Sequence, residues 1–258
     1  MTAPRRCAAP SRAALSLAVF AACAGPPPAP PPVATPSSAA DAAATEEAWR
    51  PLFDGSSLAH WTSIEFGGEG SVHVDGGRLI LEPGSPLTGV LADQQLPASY
   101  ELDLLAARLM GNDFFCGLTF PVADAYLTLV LGGWGGAVCG LSSLDGQDAA
   151  HNDTRRLRAF ARGAQTAIRV RVEPEHVAVE LDGVPFLDCD LHGRALSLRA
   201  EMEPCRGLAI ASYSTRASIA RCAWRPLGNR GTGGARADGG PQSCGPGQHL
   251  LGGVCAAR

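Results

Sequence analysis

The sequence predicts an all-β protein, folded as an antiparallel jelly-roll sandwich of two sheets. Apolar and polar residues alternate with a period of two through much of residues 49–227, the pattern of strands with one buried face. The chain holds 31 glycines and 20 prolines, so turns are frequent and long helices are disfavoured. Roughly ten short strands without a convincing helix favour a sandwich over a bundle.

The individual strands are separated by turn residues. We predict them at residues 77–82, 100–105, 114–120, 126–131, 168–172, 177–181, 184–187, 195–199, 207–212 and 218–224. The clearest hairpin turns at Glu173-Pro174-Glu175, and Asp182-Gly183 closes the next one. Residues 153–162 are the one arguable helical stretch, with a long loop as the alternative.

Residues 1–22 have the features of an export signal, with three arginines before a short apolar run. The letters FAAC at residues 20–23 resemble a bacterial lipobox, which predicts lipidation of Cys23 and a periplasmic or cell-surface lipoprotein. Cleavage after Ala24 is the alternative and would release a soluble secreted protein. The Pro- and Ala-rich residues 23–48 predict a stiff tether.

If the protein is exported, its cysteines can form disulfides, because disulfides persist outside the cytosol. A Gly-rich linker, residues 228–243, precedes a C-terminal segment, residues 244–258, in which we predict a Cys244–Cys255 disulfide loop. The cysteines that remain in the domain are Cys116, Cys139, Cys189, Cys205 and Cys222. An odd number cannot all pair, so at least one is predicted to be a buried free thiol, and the pairing of the others stays open.

The charge of the chain excludes some partners. Its 21 basic residues, all arginine, are outnumbered by 25 carboxylates, for a formal net charge of -4. Nucleic-acid binding requires a concentrated basic face, so we predict no nucleic-acid partner. We expect membrane contact only through the N-terminal lipid, or none, and we expect a monomer.

Four segments of the chain resemble one known family. The letters PLFDGSSLAHW at residues 51–61 resemble the opening LFDG-x-SL-x-x-W of the 3-keto-disaccharide hydrolase family, and residues 207–227 are similar to its last two strands. Residues 113–122 and 132–146 resemble a planctomycete-type branch, often described as similar to family 16 glycoside hydrolases. The resemblance covers nearly all of residues 49–227. It implies a concanavalin A-like jelly roll that is exported and acts on carbohydrate.

The family name implies a substrate whose sugar ring has a ketone at C3. The ketone acidifies the hydrogen on C2, so the glycosidic bond at C1 can break by elimination, followed by addition of water. That reaction needs a base near C2, an acid near the leaving oxygen and a cation or donor at the ketone oxygen. Candidate acids and bases are Glu101, Asp113, Asp148, His151, Asp153, Glu201 and Glu203; Arg199 or a metal is the candidate electrophile.

Glu101 bears on the alternative of an ordinary glycosidase. Family 16 enzymes carry a strand motif E-x-D-x-x-E that supplies a nucleophile and a general acid. The nearest match, ELDLLA at residues 101–106, lacks the last carboxylate, so a retaining mechanism of that type lacks its proton donor there. Glu101 is kept as a substrate-binding candidate, with an exposed strand residue as the alternative.

Asp113 precedes an apolar run, where it either stabilises a turn or serves as a catalytic carboxylate. Trp134 lies between two pairs of glycines, which give its loop backbone freedom. Its ring is predicted to face a sugar, with a core tryptophan beneath a tight turn as the alternative. Tyr213 is a further substrate-binding candidate.

Residues 145–154 contain three carboxylates, an imidazole and two amides. The segment is an active-site loop, a solvated polar loop or a Ca²⁺ loop, although its spacing does not match an EF-hand. We predict catalytic roles for Asp148 and for His151, because imidazole titrates near neutral pH. The sequence requires no cofactor, and Ca²⁺ is the possible metal.

Residues 199–203 alternate in a way that predicts a strand with Arg199, Glu201 and Glu203 on one side. These side chains form either a structural ion pair or a site for substrate hydroxyls or the ketone. In the second case, Glu201 is catalytic and Arg199 binds substrate.

The favoured function is therefore hydrolysis of 3-keto-glycosides by elimination and hydration. The alternative is a non-catalytic carbohydrate-binding or cell-surface module with Trp134 as its stacking surface. An enzyme should gather the predicted carboxylates, His151 and Arg199 in one cleft. A binding module should instead present an open aromatic face without paired titratable groups.

Overall fold

The structure is a computed structural model that describes residues 47–228 and, as backbone only, Gln248–Leu251 and Val254–Ala257. Within residues 47–228 the chain folds into two antiparallel sheets, which confirms the predicted all-β sandwich. The predictions for the export signal, Cys23, most of the tether and linker, and the Cys244–Cys255 disulfide lie outside the described residues.

The larger sheet, called the back sheet, has eight strands. They are β1 (Arg50–Pro51), β3 (Val72–Asp75), β4 (Arg78–Leu81), β6 (Tyr100–Met110), β11 (Gln165–Glu173), β12 (His176–Leu181), β13 (Val184–Asp190) and β15 (Arg216–Pro226). Their spatial order is β13-β12-β11-β6-β15-β4-β3, and β1 pairs with β15.

The second sheet, called the front sheet, has seven strands. They are β2 (Trp61–Ser63), β5 (Leu87–Ala92), β7 (Cys116–Val122), β8 (Ala125–Gly133), β9 (Val138–Ser142), β10 (Arg156–Leu157) and β14 (Ala209–Tyr213). Their order is β10-β9-β8-β7-β14-β5-β2. The remaining strands, β16 (Gln248–Leu251) and β17 (Val254–Ala257), pair with each other.

The core lies between the two sheets and follows the two-residue period of the sequence. In β8, Leu127, Leu129 and Leu131 are fully buried in the core cluster, while Thr128 and Val130 lie on the other face of the strand. Each fully buried aliphatic side chain contributes about 1.5–3 kcal/mol relative to exposure. The same alternation leaves Thr128 and Val130 on the outer face of the front sheet, where the candidate site forms.

The motif near residue 54 has a structural explanation. The backbone N–H groups of Ser56 and Ser57 donate to Asp54 Oδ1 at 2.7 and 2.8 Å, an Asx-type turn that lowers the pKa of Asp54 below its usual range. Leu52 and Trp61 on either side are buried, and Trp61 Nε1 donates to the Leu52 carbonyl at 2.9 Å. The motif therefore anchors the start of the sandwich.

The predicted hairpins are confirmed. β11 pairs with β12 and β12 with β13, and the second turn has Asp182 and Gly183 at φ 54° and 75°, as a type I′ turn requires. Residues 153–162 contain the short strand β10 and otherwise loop, so the helical alternative for this stretch is wrong.

The predicted strand at residues 195–199 is wrong, as is the strand placement of Arg199, Glu201 and Glu203. Only an isolated bridge between Leu144 and Leu196 forms there, and Ala200–Cys205 is a 3₁₀ helix. Burial of Met202 and Cys205 against the outer face of the front sheet requires a helical turn, and this packing overrides a short local alternation. Glu203 pairs instead with Arg206, at 2.7 Å.

All five domain cysteines among the described residues are free and buried, at Cys116, Cys139, Cys189, Cys205 and Cys222. Burial raises the pKa of Cys116 to about 12 and that of Cys139 to about 11. These thiols stay protonated and pack as small apolar side chains.

Within the described residues, no helix is both long enough and apolar enough to cross a bilayer.

Candidate functional site

A pocket of about 210 Å³ opens on the outer face of the front sheet, and we call it the front pocket. Its lining residues come from the sheet, the loops at its edge and the 3₁₀ helix; they are Leu87, Asp113, Phe114, Thr128, Val130, Trp134, Ser142, Arg199, Glu201, Met202 and Tyr213. The volume is below the ~300–1,000 Å³ typical of pockets for drug-sized ligands. The pocket therefore fits a small ligand or one part of a larger one.

The 3₁₀ helix brings two charged residues to the pocket. Met202 and Cys205 pack with Ala209 and Ala211 of β14, which fixes the helix on the sheet. Arg199, the residue before the helix, receives the N–H of Met202 on its carbonyl at 2.9 Å. The guanidinium of Arg199 and the carboxylate of Glu201 consequently lie at the pocket wall.

Arg199 connects two carboxylates from different parts of the chain. Its Nη1 donates to Asp148 Oδ2 at 2.6 Å and its Nε donates to Glu201 Oε1 at 2.5 Å. These charge-assisted bonds raise the pKa of Arg199, with the Glu201 bond as the main cause. Arg199 is therefore held in one orientation by two partners that bind different nitrogens.

Asp148 is also hydrogen-bonded to His151. The distance between His151 Nδ1 and Asp148 Oδ1 is 2.6 Å, and the side chains are 71% and 15% exposed. Burial alone would raise the pKa of Asp148, but the hydrogen bonds of His151 and the Ala150 N–H, with the charge of Arg199, lower it on balance. Asp148 stays ionised and orients the ring, which leaves His151 Nε2 for another partner.

Asp113, another residue of the pocket lining, is held by hydrogen bonds. Its Oδ1 accepts the N–H of Phe114 at 2.8 Å and that of Trp134 at 3.2 Å, and its own N–H donates to Thr215 Oγ1 at 3.2 Å. Asp113 Oδ2 has no hydrogen-bond partner within residues 47–228. The carboxylate thus stabilises the turn, and one oxygen stays available to a ligand.

Trp134 is 43% exposed and lies at the tip of the loop between β8 and β9. The alternative of a core tryptophan is therefore wrong. Its backbone has a φ of 48°, in the left-handed region, and its N–H is held by Asp113. The indole ring borders the pocket, as a stacking residue for a sugar must.

Arg108 donates a hydrogen bond to the backbone of this loop. It is not among the candidates from the sequence. It is only 6% exposed, and its Nη2 donates to the carbonyls of Gly136 and Phe160 at 3.0 and 3.2 Å. The one signal in the sequence is an arginine inside the apolar run of β6. A buried guanidinium requires partners, and here the Trp134 loop provides one.

Replacing Gly136 by alanine is expected to displace the Trp134 loop. Its φ is 106°, and a Cβ there would lie 2.6 Å from Arg108 Nη1 and 3.1 Å from the Asn112 carbonyl. We expect a loss of about 2–4 kcal/mol in the free energy of unfolding, from strained φ and steric overlap together. Thermal unfolding and the Trp134 indole ¹H–¹⁵N signal measure the two effects.

Gly135→Ala is the matched control, because Gly135 has a φ of 88° but no atom within 4 Å of an added Cβ. It should show the conformational cost alone, ~1–2 kcal/mol. Equal losses in both variants would contradict the contact with Arg108.

The structure does not bring all predicted site residues together. Those that line the front pocket are Asp113, Trp134, Arg199, Glu201 and Tyr213; Asp148 and His151 join it through Arg199. Glu101 lies on the back sheet, is 7% exposed, and pairs with Arg225 at 2.6 Å. It contributes nothing to the pocket wall.

Residues 145–154, for which a Ca²⁺ loop is one of three alternatives, use their carboxylates in ion pairs. Arg194 binds Asp145 at 2.6 Å and Asp153 at 3.0 Å, and Asp148 binds Arg199. The Ala195 N–H and Arg194 lower the pKa of Asp145, and Arg194 lowers that of Asp153. No three His, Cys, Asp or Glu side chains in the described part of the chain are grouped as metal ligands.

The network predicts how stability changes with pH. Because the folded pKa of Asp148 is lowered, its contribution is present above the unfolded pKa of about 3.9 and is lost as the pH falls through the lower folded value. We expect Asp148→Asn to reduce the free energy of unfolding near pH 7 by about 1 kcal/mol and to flatten its decline in acid. Urea unfolding at a series of pH values measures both.

The control is Asp124→Asn, in the exposed turn between β7 and β8. It should leave the pH dependence as in the wild type. An Asp148→Asn variant with an unchanged acid slope would contradict the ion-pair network.

No family model matches the chain, and no curated protein matches it either. Membership of the 3-keto-disaccharide hydrolase family therefore stays a prediction. Among solved structures, a Bacillus subtilis protein of unknown function with a galectin-like fold is 11% identical, with a TM-score of 0.51 over 70% of this chain and 97% of that chain. That similarity concerns the fold, and it agrees with the lectin-like sandwich described above.

Two further solved structures have lower TM-scores. An apo Crh5 transglycosylase is 8% identical, with a TM-score of 0.48 over 70% of this chain and 84% of that chain. Carbohydrate-binding module CBM66 from Bacillus subtilis is 9% identical, with a TM-score of 0.43 over 64% of this chain and 95% of that chain.

Proposed function

We propose that this protein is a carbohydrate-active hydrolase that cleaves 3-keto-glycosides by elimination and hydration. The observation that carries the proposal is the front pocket, whose lining includes the exposed Trp134, the carboxylates of Asp113 and Glu201, and Arg199. Arg199 connects this wall to the Asp148–His151 pair outside the lining. Titratable groups paired in one cleft are what an enzyme requires. The resemblance of residues 51–61 to the 3-keto-disaccharide hydrolases supports the choice of substrate.

The charge of the pocket supports an uncharged substrate. Asp113 and Glu201 supply two carboxylates to the lining against the guanidinium of Arg199, which also pairs with Asp148 outside the lining. Negative potential in a cleft repels anionic ligands. A neutral keto sugar fits this potential better than a uronate or a sulfated sugar.

The residues have distinct roles in the proposed reaction. His151, oriented by Asp148, accepts the C2 proton through Nε2. Arg199 donates a hydrogen bond to the C3 ketone oxygen as negative charge develops there. Trp134 stacks on the sugar, and Asp113 Oδ2 and Glu201 accept hydrogen bonds from its hydroxyls.

The electron balance follows directly. The C2–H electrons form the C1–C2 double bond as the C1–O bond breaks, and the imidazolium returns the proton to the leaving oxygen. Water then adds its oxygen to C1 and a proton to C2. The sum is one keto-glycoside and one water converted to a keto sugar and an alcohol.

A second candidate function is a non-catalytic carbohydrate-binding module. Two features favour it: the exposed ring of Trp134, and the presence of Tyr213 in the same lining, with its ring 5.7 Å from that of Phe114. Both functions place a sugar in the same pocket. They differ in whether the Asp148–His151 pair acts on it.

Under either function we propose an exported protein, held at a membrane surface by a lipid on Cys23. Mass spectrometry of the cellular protein would reveal a diacylglyceryl cysteine. A chain that begins after Ala24 would contradict lipidation.

The deciding experiment incubates the purified protein with 3-keto-disaccharides and their unoxidised parents and follows products by NMR, with and without EDTA. Cleavage of the keto sugars alone supports the hydrolase, and loss of cleavage in EDTA would reveal a metal requirement. Cleavage of the parents as well would contradict the elimination mechanism. Binding without turnover would favour the module.

A further inference from the structure

The outer face of the front sheet is divided by the 3₁₀ helix. Strand register places Trp134, Asp113 and Tyr213 at one end of this face, because β8 and β14 finish there while β7 begins there. The other end carries Tyr126, at the start of β8. Arg206, just after the helix, lies over the Tyr126 ring at 5.6 Å. The chain therefore crosses the half of the face that carries Tyr126.

Several strand residues of this outer face are buried although they face away from the core. Thr119 is 0% exposed, and its hydroxyl lies 2.8 Å from that of Thr128, which is 2% exposed and lines the front pocket. Ala209 and Ala211, also on the outer face, are fully buried. On a free outer face, the hydroxyl groups of Thr119 and Thr128 would be solvated.

Met202 forms the boundary between the covered and open halves. It is 4% exposed and belongs to the outer apolar cluster with Leu87, yet it also lines the front pocket. A ligand that enters beside Trp134 therefore meets the Met202 side chain. The open half that remains is the pocket of about 210 Å³.

We infer that the 3₁₀ helix restricts the front pocket to the terminal unit of a saccharide, with Met202 as the residue that sets this limit. The inference rests on the proposed carbohydrate function and adds a specificity to it. Internal units of a long glycan have a neighbour on both sides, and the helix occupies the path that one neighbour would need. A chain end has only one neighbour and fits.

Saturation-transfer NMR on the full chain tests this inference. The probes are cellobiose and cellohexaose, maltose and maltohexaose, and their forms with a 3-keto group on the non-reducing unit. We expect saturation concentrated on one terminal ring. The two lengths in the bound series should have dissociation constants within about twofold, because further units add no contacts.

Two variants of Met202 sharpen the test. Met202→Ala opens the boundary and should increase the affinity for the hexasaccharide relative to the disaccharide by about tenfold, equivalent to ~1.4 kcal/mol. Met202→Leu nearly conserves the side-chain volume, so it should keep the wild-type ratio of hexasaccharide to disaccharide affinity. If Met202→Ala does not fold, the ring-by-ring saturation of the wild type decides the question alone.

Saturation spread over several internal rings, or a hexasaccharide that binds wild type far more tightly than its disaccharide, would overturn the terminal-unit inference and leave the carbohydrate function intact. A folded Met202→Ala variant with unchanged selectivity would remove Met202 from the role. Absence of binding by every saccharide would overturn the proposed function and the inference with it.

Discussion

Under the proposed hydrolase function, Arg199→Met should reduce turnover of a 3-keto-disaccharide by about 10²–10³-fold, the usual effect of removing a donor that stabilises developing negative charge. Methionine keeps most of the length of the arginine stem and removes the guanidinium. The substitution removes the partner of Asp148 Oδ2 and the partner of Glu201 Oε1. It also removes the donor that we propose for the ketone. Arg199 is the one basic side chain among the described residues that line the pocket.

Steady-state kinetics on the 3-keto substrate, with thermal unfolding alongside, measure this effect. We expect the loss mainly in kcat, because the donor acts most strongly on the charge that forms during elimination. Arg199→Lys should recover little, since one ammonium cannot reproduce two donors on separate nitrogens.

Arg206→Met is the matched control. Arg206 follows the same 3₁₀ helix and pairs with Glu203 at 2.7 Å, but it lies outside the pocket lining. It should retain wild-type kinetics, because its ion pair with Glu203 is solvent-exposed and contributes little to the fold. Equal losses in the two variants would show a general effect on the helix and contradict the role of Arg199.

The sandwich could be predicted because its signal is local. The alternation of Ile168, Val170 and Val172 with polar neighbours determines which face of β11 is buried, and Asp182-Gly183 fits the turn that follows. Both features are determined by a few adjacent residues. The pairing of β6 with β15, by contrast, joins residues more than 100 positions apart and has no local sequence signal.

The 3₁₀ helix was mispredicted for a physical reason. Residues 195–199 alternate as a strand does. Five residues, however, do not distinguish a strand from a segment that leads into a helix, and here the helix packs Met202 on the front sheet. The error changed the geometry of the site. A strand would have aligned Glu203 with Arg199, whereas the helix directs Glu203 to Arg206 and leaves Glu201 beside Arg199.

The chemistry of the site could be predicted only as a set of candidates. Asp148 and His151 are three positions apart, so their contact follows from a single turn of chain. The contact between Asp148 and Arg199 spans 51 positions and depends on the whole front sheet. Arg108 was missed because its partners are backbone carbonyls, and a carbonyl carries no residue-specific signal.

Trp134→Ala should weaken saccharide binding by about ten- to a hundredfold, the range of a central aromatic contact in a recognition site. The backbone of the loop should change little, since the bond to Asp113 Oδ1 comes from the N–H of residue 134, which alanine retains. The ring is 43% exposed, so its removal should lower the unfolding free energy by only ~1–2 kcal/mol. The substitution should therefore reduce the affinity strongly and the stability only slightly.

NMR titration with the saccharide bound by the wild type measures the affinity, and thermal unfolding measures the stability. Trp134→Phe retains a ring and should recover part of the binding, because stacking depends on the aromatic face. Leu157→Ala is the surface control, as Leu157 is 64% exposed on β10 and lies outside the pocket lining. Unchanged binding in Trp134→Ala would mean that the indole only covers its loop, and recognition would then depend on Asp113, Glu201 and Arg199 alone.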